Sequence, residues 1–114
     1  MPRIVGPTLT VIWWRDIPAQ VNAKDGDRTA RIELHRRFQV AIDRAAVRSG
    51  RREMQAYIAE WRKVARACGP DLDAEVAAEA ARLEETYTKD VVNRLVEAGG
   101  VDILAAGEGQ EEAQ

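Results

Sequence analysis

The sequence predicts an α+β fold: a small three-stranded sheet, made of an N-terminal strand and a β-hairpin, followed by three helices, the last long and acidic. Three observations predict it. Residues 8–15 are a β-branched and aromatic run, which favours a pleated strand. An Asp25-Gly26 step separates two alternating segments, a strong short-range sign of a hairpin. From residue 35 the apolar spacing changes from two to between three and four, as on a helix with one buried face. Residues 1–106 then make a single domain. Residues 107–114, small, polar and acidic, are expected to form a disordered tail.

The first strand places Leu9, Val11 and Trp13 on one face and Thr10, Ile12 and Trp14 on the other. Both faces are mostly apolar, so it is expected inside the sheet with a cover on each side. Polarity breaks at Arg15-Asp16, and Pro18, lacking an N–H, is expected to end the ladder. In the hairpin that follows, Val21, Ala23, Ile32 and Leu34 are expected inward, with Asn22, Lys24, Arg31 and Glu33 outward. A first helix over 35–48 buries Phe38, Ala41, Ile42, Ala45 and Ala46, and Gly50 stops it. A second helix is expected over 52–67, with Met54, Tyr57, Ile58, Trp61, Val64, Ala65 and Cys68 on its buried stripe. Gly69-Pro70 ends it. Asp71 or Asp73 caps the third helix, whose stripe is Val76, Ala80, Leu83, Tyr87, Val91 and Leu95. Thr86-Tyr87-Thr88 is its weak point, where it would bend or restart before Gly99-Gly100. Val101 to Leu104 are expected to pack briefly.

The net charge of −2 hides an asymmetry. Residues 28–66 carry eleven basic side chains against four acidic ones, a net +7, while residues 67–114 carry three against twelve, a net −9. Such a split points either to an anionic partner or to two segments that face each other or water. A single cysteine, Cys68, excludes an internal disulfide and fits a reducing compartment. No apolar run reaches signal-peptide or membrane-span length, so the cytoplasm is the expected location, with no membrane partner.

Three blocks carry a resemblance: Trp13-Trp14-Arg15-Asp16-Ile17-Pro18-Ala19-Gln20-Val21, Arg37 to Ala46 (RFQVAIDRAA), and Tyr57-Ile58-Ala59-Glu60-Trp61-Arg62. Together they resemble a small bacterial virulence factor family, and the module at the end of the longer conserved virulence factor C proteins. The resemblance covers about residues 8–67. Val47 stands where the family pattern leads us to expect methionine, a conservative change at a position expected in the core. The resemblance implies no reaction, cofactor or catalytic residue. It does imply company with corrinoid- and folate-dependent one-carbon metabolism, so a methyltransferase or folate enzyme is the implied kind of partner.

No motif for phosphate binding, metal binding or nucleophilic catalysis is present. His35 and Cys68 are the only soft ligands, too few for zinc. A Cys–His pair, or an enzyme using Arg15, Asp16 and His35, would require those side chains to converge. The expected function is therefore non-catalytic: an accessory or protein-interaction domain docking to a larger enzyme. The candidate docking residues are Trp14, Arg15 and Asp16 at the strand end, with Arg36, Arg37, Arg44 and Arg48 on the basic helix flank. The plainer reading of Arg15-Asp16 is a local salt bridge fixing the turn, with Trp13 and Trp14 covering the two sheet faces. The alternative function is nucleic-acid binding through the arginine-rich segment 28–66, in which the series Arg36-Arg37, Arg44, Arg48 and Arg51-Arg52 lacks interleaved exposed aromatics for base stacking.

Overall fold

The structure is a computed structural model that describes residues 6–51 and 53–102. The expected disordered tail and residues 103–104 lie outside the described residues. The elements in chain order are β1 (Thr8–Trp14), β2 (Ile17–Asp25), β3 (Arg28–Glu33), α1 (Arg36–Arg48), α2 (Met54–Ala59), β4 (Trp61–Ala67), α3 (Leu72–Thr86) and α4 (Lys89–Glu97). The fold class is α+β, but two expectations are corrected: the sheet has four strands, and four helices replace three. All pairs are antiparallel, in the order β3-β2-β1-β4.

The fourth strand comes from the segment expected to be the second helix. Helical spacing survives there only through α2, a short helix capped by the Glu53 carboxylate. Residues 61–67 instead run along all of β1, from Trp14↔Trp61 to Thr8↔Ala67. Without them, one side of β1 would leave its N–H and C=O groups without partners. The tertiary ladder therefore outweighs the local apolar period. The third helix breaks at the expected weak point. Tyr87 leaves helical geometry (φ −96°, ψ 72°), and Thr88 caps α4 by accepting from the Val91 N–H at 3.4 Å. Asp71 is the residue that caps α3, accepting from the Ala74 N–H at 3.2 Å.

The hairpin turns also differ from expectation. Asp25-Gly26 does turn β2 into β3, with Gly26 at positive φ. The strand at 8–15, however, ends at Trp14, and Arg15-Asp16 is a two-residue turn that opens β2 at Ile17. Pro18 does not end the ladder. It sits inside β2 opposite Trp13, at an irregularity where Ala19 is the extra residue.

The register assigns two faces. Leu9, Val11, Val21 and Ala23 are buried on one, where α3 packs against β2 and β3. Trp14 and Ile17 are wholly buried on the other, near the Arg15-Asp16 end, in one continuous core with Phe38, Ile42 and Ala45 of α1 and Leu95 of α4. The cover expected on both sides of β1 is thus only partly present, because Thr8, Thr10 and Ile12 stay half-exposed.

Candidate functional site

The turn at Arg15-Asp16 gathers more polar contacts than any other corner of the described chain. It is short because β1 and β2 pair up to Trp14↔Ile17. Closing it places Arg15 at φ 53°, a left-handed conformation that costs a side-chain-bearing residue about 1–2 kcal/mol. Surrounding bonds hold it there. The Arg15 N–H donates to the Glu60 carbonyl (3.1 Å) and the Asp16 N–H to the Gly100 carbonyl (2.8 Å). The Arg15 guanidinium donates from Nη1 to the Gly99 carbonyl (3.0 Å) and from Nη2 to Glu60 Oε2 (3.0 Å). Arg51 Nε reaches the same Glu60 oxygen at 3.0 Å.

Asp16 is tied down equally. Arg62 donates from Nε to the Arg15 carbonyl (2.9 Å) and from Nη2 to Asp16 Oδ1 (3.3 Å), while the Asp102 N–H donates to Asp16 Oδ2 (2.7 Å). The turn thereby joins the α2–β4 corner to the chain following α4. Arg15 and Asp16 do not pair with each other; their partners Glu60 and Arg62 lie some 45 residues on, where no local sequence signal points to them.

The two tryptophans split as the strand period requires. Trp14 is completely buried, its Nε1 donating to the Tyr57 carbonyl at 2.9 Å and its ring tilted against the Tyr57 ring at 5.7 Å. Gly100 passes so close that a Cβ there would meet Trp14 Cζ3 at 3.0 Å. Trp13, on the opposite face, packs edge-on to Tyr87 at 5.8 Å beneath the Arg62 guanidinium. Trp14 was a candidate docking residue. Its ring has no surface to offer and belongs to the core.

The helix-flank candidates divide in two. Arg37 donates from Nη2 to the carbonyls of Glu84 (2.9 Å) and Tyr87 (3.2 Å) and lies over the Phe38 ring, anchoring the start of α1 to the end of α3. Arg48 Nε donates to the Glu97 carbonyl at 3.2 Å, closing the α1–α4 pair. Arg36 and Arg44 are exposed and have no hydrogen-bond or ion-pair partner among the described residues. Between them on the same helical face stands Val40, 46% exposed, and one turn beyond is Val47, 58% exposed. The expectation that Val47 is core is corrected, because it points away from the apolar side of α1. Sequence reasoning missed Val40, although its offset from Phe38, Ala41 and Ile42 on the helical wheel is a usable signal.

Two open grooves border this flank where α1 meets α4. One, about 360 Å³, is lined by residues that include Arg36, Val40, Arg44, Lys89 and Asn93; the other, about 440 Å³, includes Asp43, Arg44, Val47 and Glu97.

His35 and Cys68 are not brought into one site. His35 caps α1, its Nδ1 accepting from the Arg37 N–H at 3.1 Å, and Cys68 follows β4 with its thiol pushed up by burial and by Glu75. Arg15 holds the Glu60 carboxyl below the usual carboxylate range through a hydrogen bond, with Arg51 adding to the effect. Glu79 is held low mainly by the Arg82 hydrogen bond, against its own burial, with Arg66 as a further partner. Burial pushes the Tyr87 hydroxyl up, and Asp102 and Asp16 push the same way. Among the described residues, no group of three or more His, Cys, Asp or Glu is placed to hold a metal ion. No described helix is long and apolar enough to cross a membrane.

These features define a small α+β domain: a four-stranded antiparallel sheet backed by helices, whose most polar corner is spent on its own architecture. The chain belongs to the virulence factor family, whose model matches residues 12–96. The match runs past the three resembling blocks and takes in α3 and nearly all of α4. No curated protein and no solved structure matches the chain.

Proposed function

We propose that this protein is a non-catalytic accessory domain that docks onto a larger enzyme through the outer flank of α1. The observation that carries the reading is the row Arg36, Val40, Arg44 and Val47. It sets two exposed valines among two arginines without partners among the described residues, beside the two grooves against α4. Exposed apolar side chains rimmed by charge are the composition of an interaction surface. Its basic character fits a partner segment that is amphipathic and acidic, with the arginines steering association and the valines supplying burial. The Arg15-Asp16 turn, whose charged groups are bonded within the chain, lies outside this row. The family resemblance directs the search for that partner to corrinoid- and folate-dependent methyl-transfer enzymes.

Affinity purification from the native bacterium, with cross-linking to locate the contact, tests this. The wild-type chain is expected to recover a larger enzyme at stoichiometric yield, cross-linked to α1. A V40E/V47E chain, folded by circular dichroism, is expected to lose it. A wild-type chain recovered alone under every growth condition, or a partner held equally well by V40E/V47E, overturns the reading.

A further inference from the structure

The sheet carries a second surface. The register lays out its less covered face in rows across β4, β1, β2 and β3: Lys63–Ile12–Gln20–Glu33, then Ala65–Thr10–Asn22–Arg31, then Ala67–Thr8–Lys24–Thr29. Every named residue of β3 and β4, together with Lys24, is exposed, and the remaining β1 and β2 residues are half-exposed. A groove of about 650 Å³ runs along the first row, lined by Ile12, Gln20, Glu33, Arg36, Gln39 and Trp61 among others; one of about 260 Å³ lies over Thr8, Thr10, Asn22 and Lys24.

The charge on this face is one-sided. Lys24, Arg31, Arg36 and Lys63 border it without ion-pair partners among the described residues, against the single acid Glu33. The acids of α3, from Asp73 to Glu85, sit on the helix that covers the opposite face. The sheet thus lies between these four cations and the acids of α3, while Arg62 and Arg66 of β4 share the face that α3 covers. A chain with a net charge of −2 presents a basic, shallow, concave surface on one side.

We propose that this face binds single-stranded nucleic acid. The four cations suit backbone phosphates, which they neutralise with release of counterions. The polar floor offers Thr8, Thr10, Gln20 and Asn22 as donors and acceptors. Trp61, half-exposed in the larger groove and held edge-on to Tyr57 at 5.9 Å, supplies a ring face on which a base stacks. A purely acidic polymer such as polyglutamate would meet the same charges but has no ring to stack on Trp61, and a duplex hides its base faces from it. Four strands at about 4.8 Å spacing span about 14 Å, room for a few nucleotides. The surface is distinct from the α1 flank; Arg36, at the corner between them, borders both.

Fluorescence anisotropy with the full chain and a labelled oligonucleotide of about 12 nucleotides tests this. Oligo-U or oligo-dT is expected to bind at about 50 mM salt, with a log–log salt slope of about −3 for four phosphates. A duplex of the same length is expected to bind more weakly. R31E/K63E is expected to lose affinity at least about tenfold, and R31Q/K63Q to flatten the slope by about 1.4 units. R94E, a single charge reversal on exposed α4, is expected to leave binding unchanged. These positions are exposed and have no side-chain partner among the described residues, and circular dichroism confirms that each variant is folded. No anisotropy change at low salt, an equal loss in R94E, or displacement by polyglutamate as effective as by oligonucleotide overturns the proposal.

Discussion

Two arginine-bearing regions of this molecule look alike in composition and differ in use. At the Arg15-Asp16 turn every charged group is bound within the chain: Arg15 to Gly99 and Glu60, Arg62 to Asp16, Arg51 to Glu60. On the outer flank of α1, Arg36 and Arg44 point into water beside exposed valines. The first region is an internal fastening; the second is surface left over after folding. Two arginines of equal prominence in the sequence can therefore have opposite roles, and the position of the counter-charge decides which. The turn's counter-charges arrive from 45 residues away. The flank has none among the described residues.

The largest effect that tests this contrast is at Trp14, the ring beneath the fastening. Trp14→Ala removes a completely buried indole and its bond to the Tyr57 carbonyl. The expected loss is about 3–5 kcal/mol of unfolding free energy, measured by urea denaturation. A loss below about 1 kcal/mol would mean that the turn end of the sheet is not core, and the comparison would fail.

Much of this was legible in the sequence, and the gaps share one cause. The face of α1 with Phe38, Ala41, Ile42, Ala45 and Ala46 was readable because helical period and burial agree there. The Asp25-Gly26 hairpin and the break near Tyr87 were readable because turn and cap chemistry is local. The segment 61–67 was not. Trp61, Val64, Ala65 and Cys68 fit a helical stripe, and only the unpaired side of β1, far off in sequence, makes that segment a strand. The partners of the Arg15-Asp16 turn were hidden for the same reason. That Arg15 and Asp16 matter was visible; that Glu60 and Arg62 hold them was not, because no local pattern encodes a contact across so long a loop. Val47 was read as core from a family pattern, although the helical wheel of α1 places it outside.

Acid is the next test, because it strikes the bound charges and spares the free ones. Glu60 and Glu79 both titrate below the ordinary value of 4.5 in the folded chain and return to it on unfolding. Their contribution is therefore complete above about pH 4.5 and is lost as pH falls through the folded values. Urea midpoints measured from pH 7 downward are expected to hold steady and then fall below pH 4.5, and Glu79→Gln is expected to shrink that fall. A variant as acid-sensitive as wild type would remove Glu79 from the account.

A smaller effect separates the side chain of Arg15 from its backbone. Arg15→Ala loses the bonds to Gly99 and Glu60 and keeps the positive φ. Arg15→Gly loses the same bonds but relieves the left-handed strain. The glycine variant is expected to be the more stable of the two by about 1 kcal/mol. Equal stabilities would show that the surrounding bonds do not hold the turn in that conformation.

The smallest effect on stability is expected at the other pole. Arg36→Ala and Arg44→Ala remove exposed side chains without partners among the described residues, so each is expected to change the unfolding free energy by no more than about 0.5 kcal/mol. The same substitutions are expected to slow association with the docking partner and weaken its salt dependence, since rim charges act mainly on encounter. Surface plasmon resonance at two ionic strengths reads both quantities. If either substitution destabilises the fold by more than about 1 kcal/mol, then that arginine has an internal partner after all, and the two regions differ in degree only. If stability holds while the association rate drops, then the same residue type fastens the fold at one corner and recruits at the other, the corner with Glu60 and Arg62 being the fastened one.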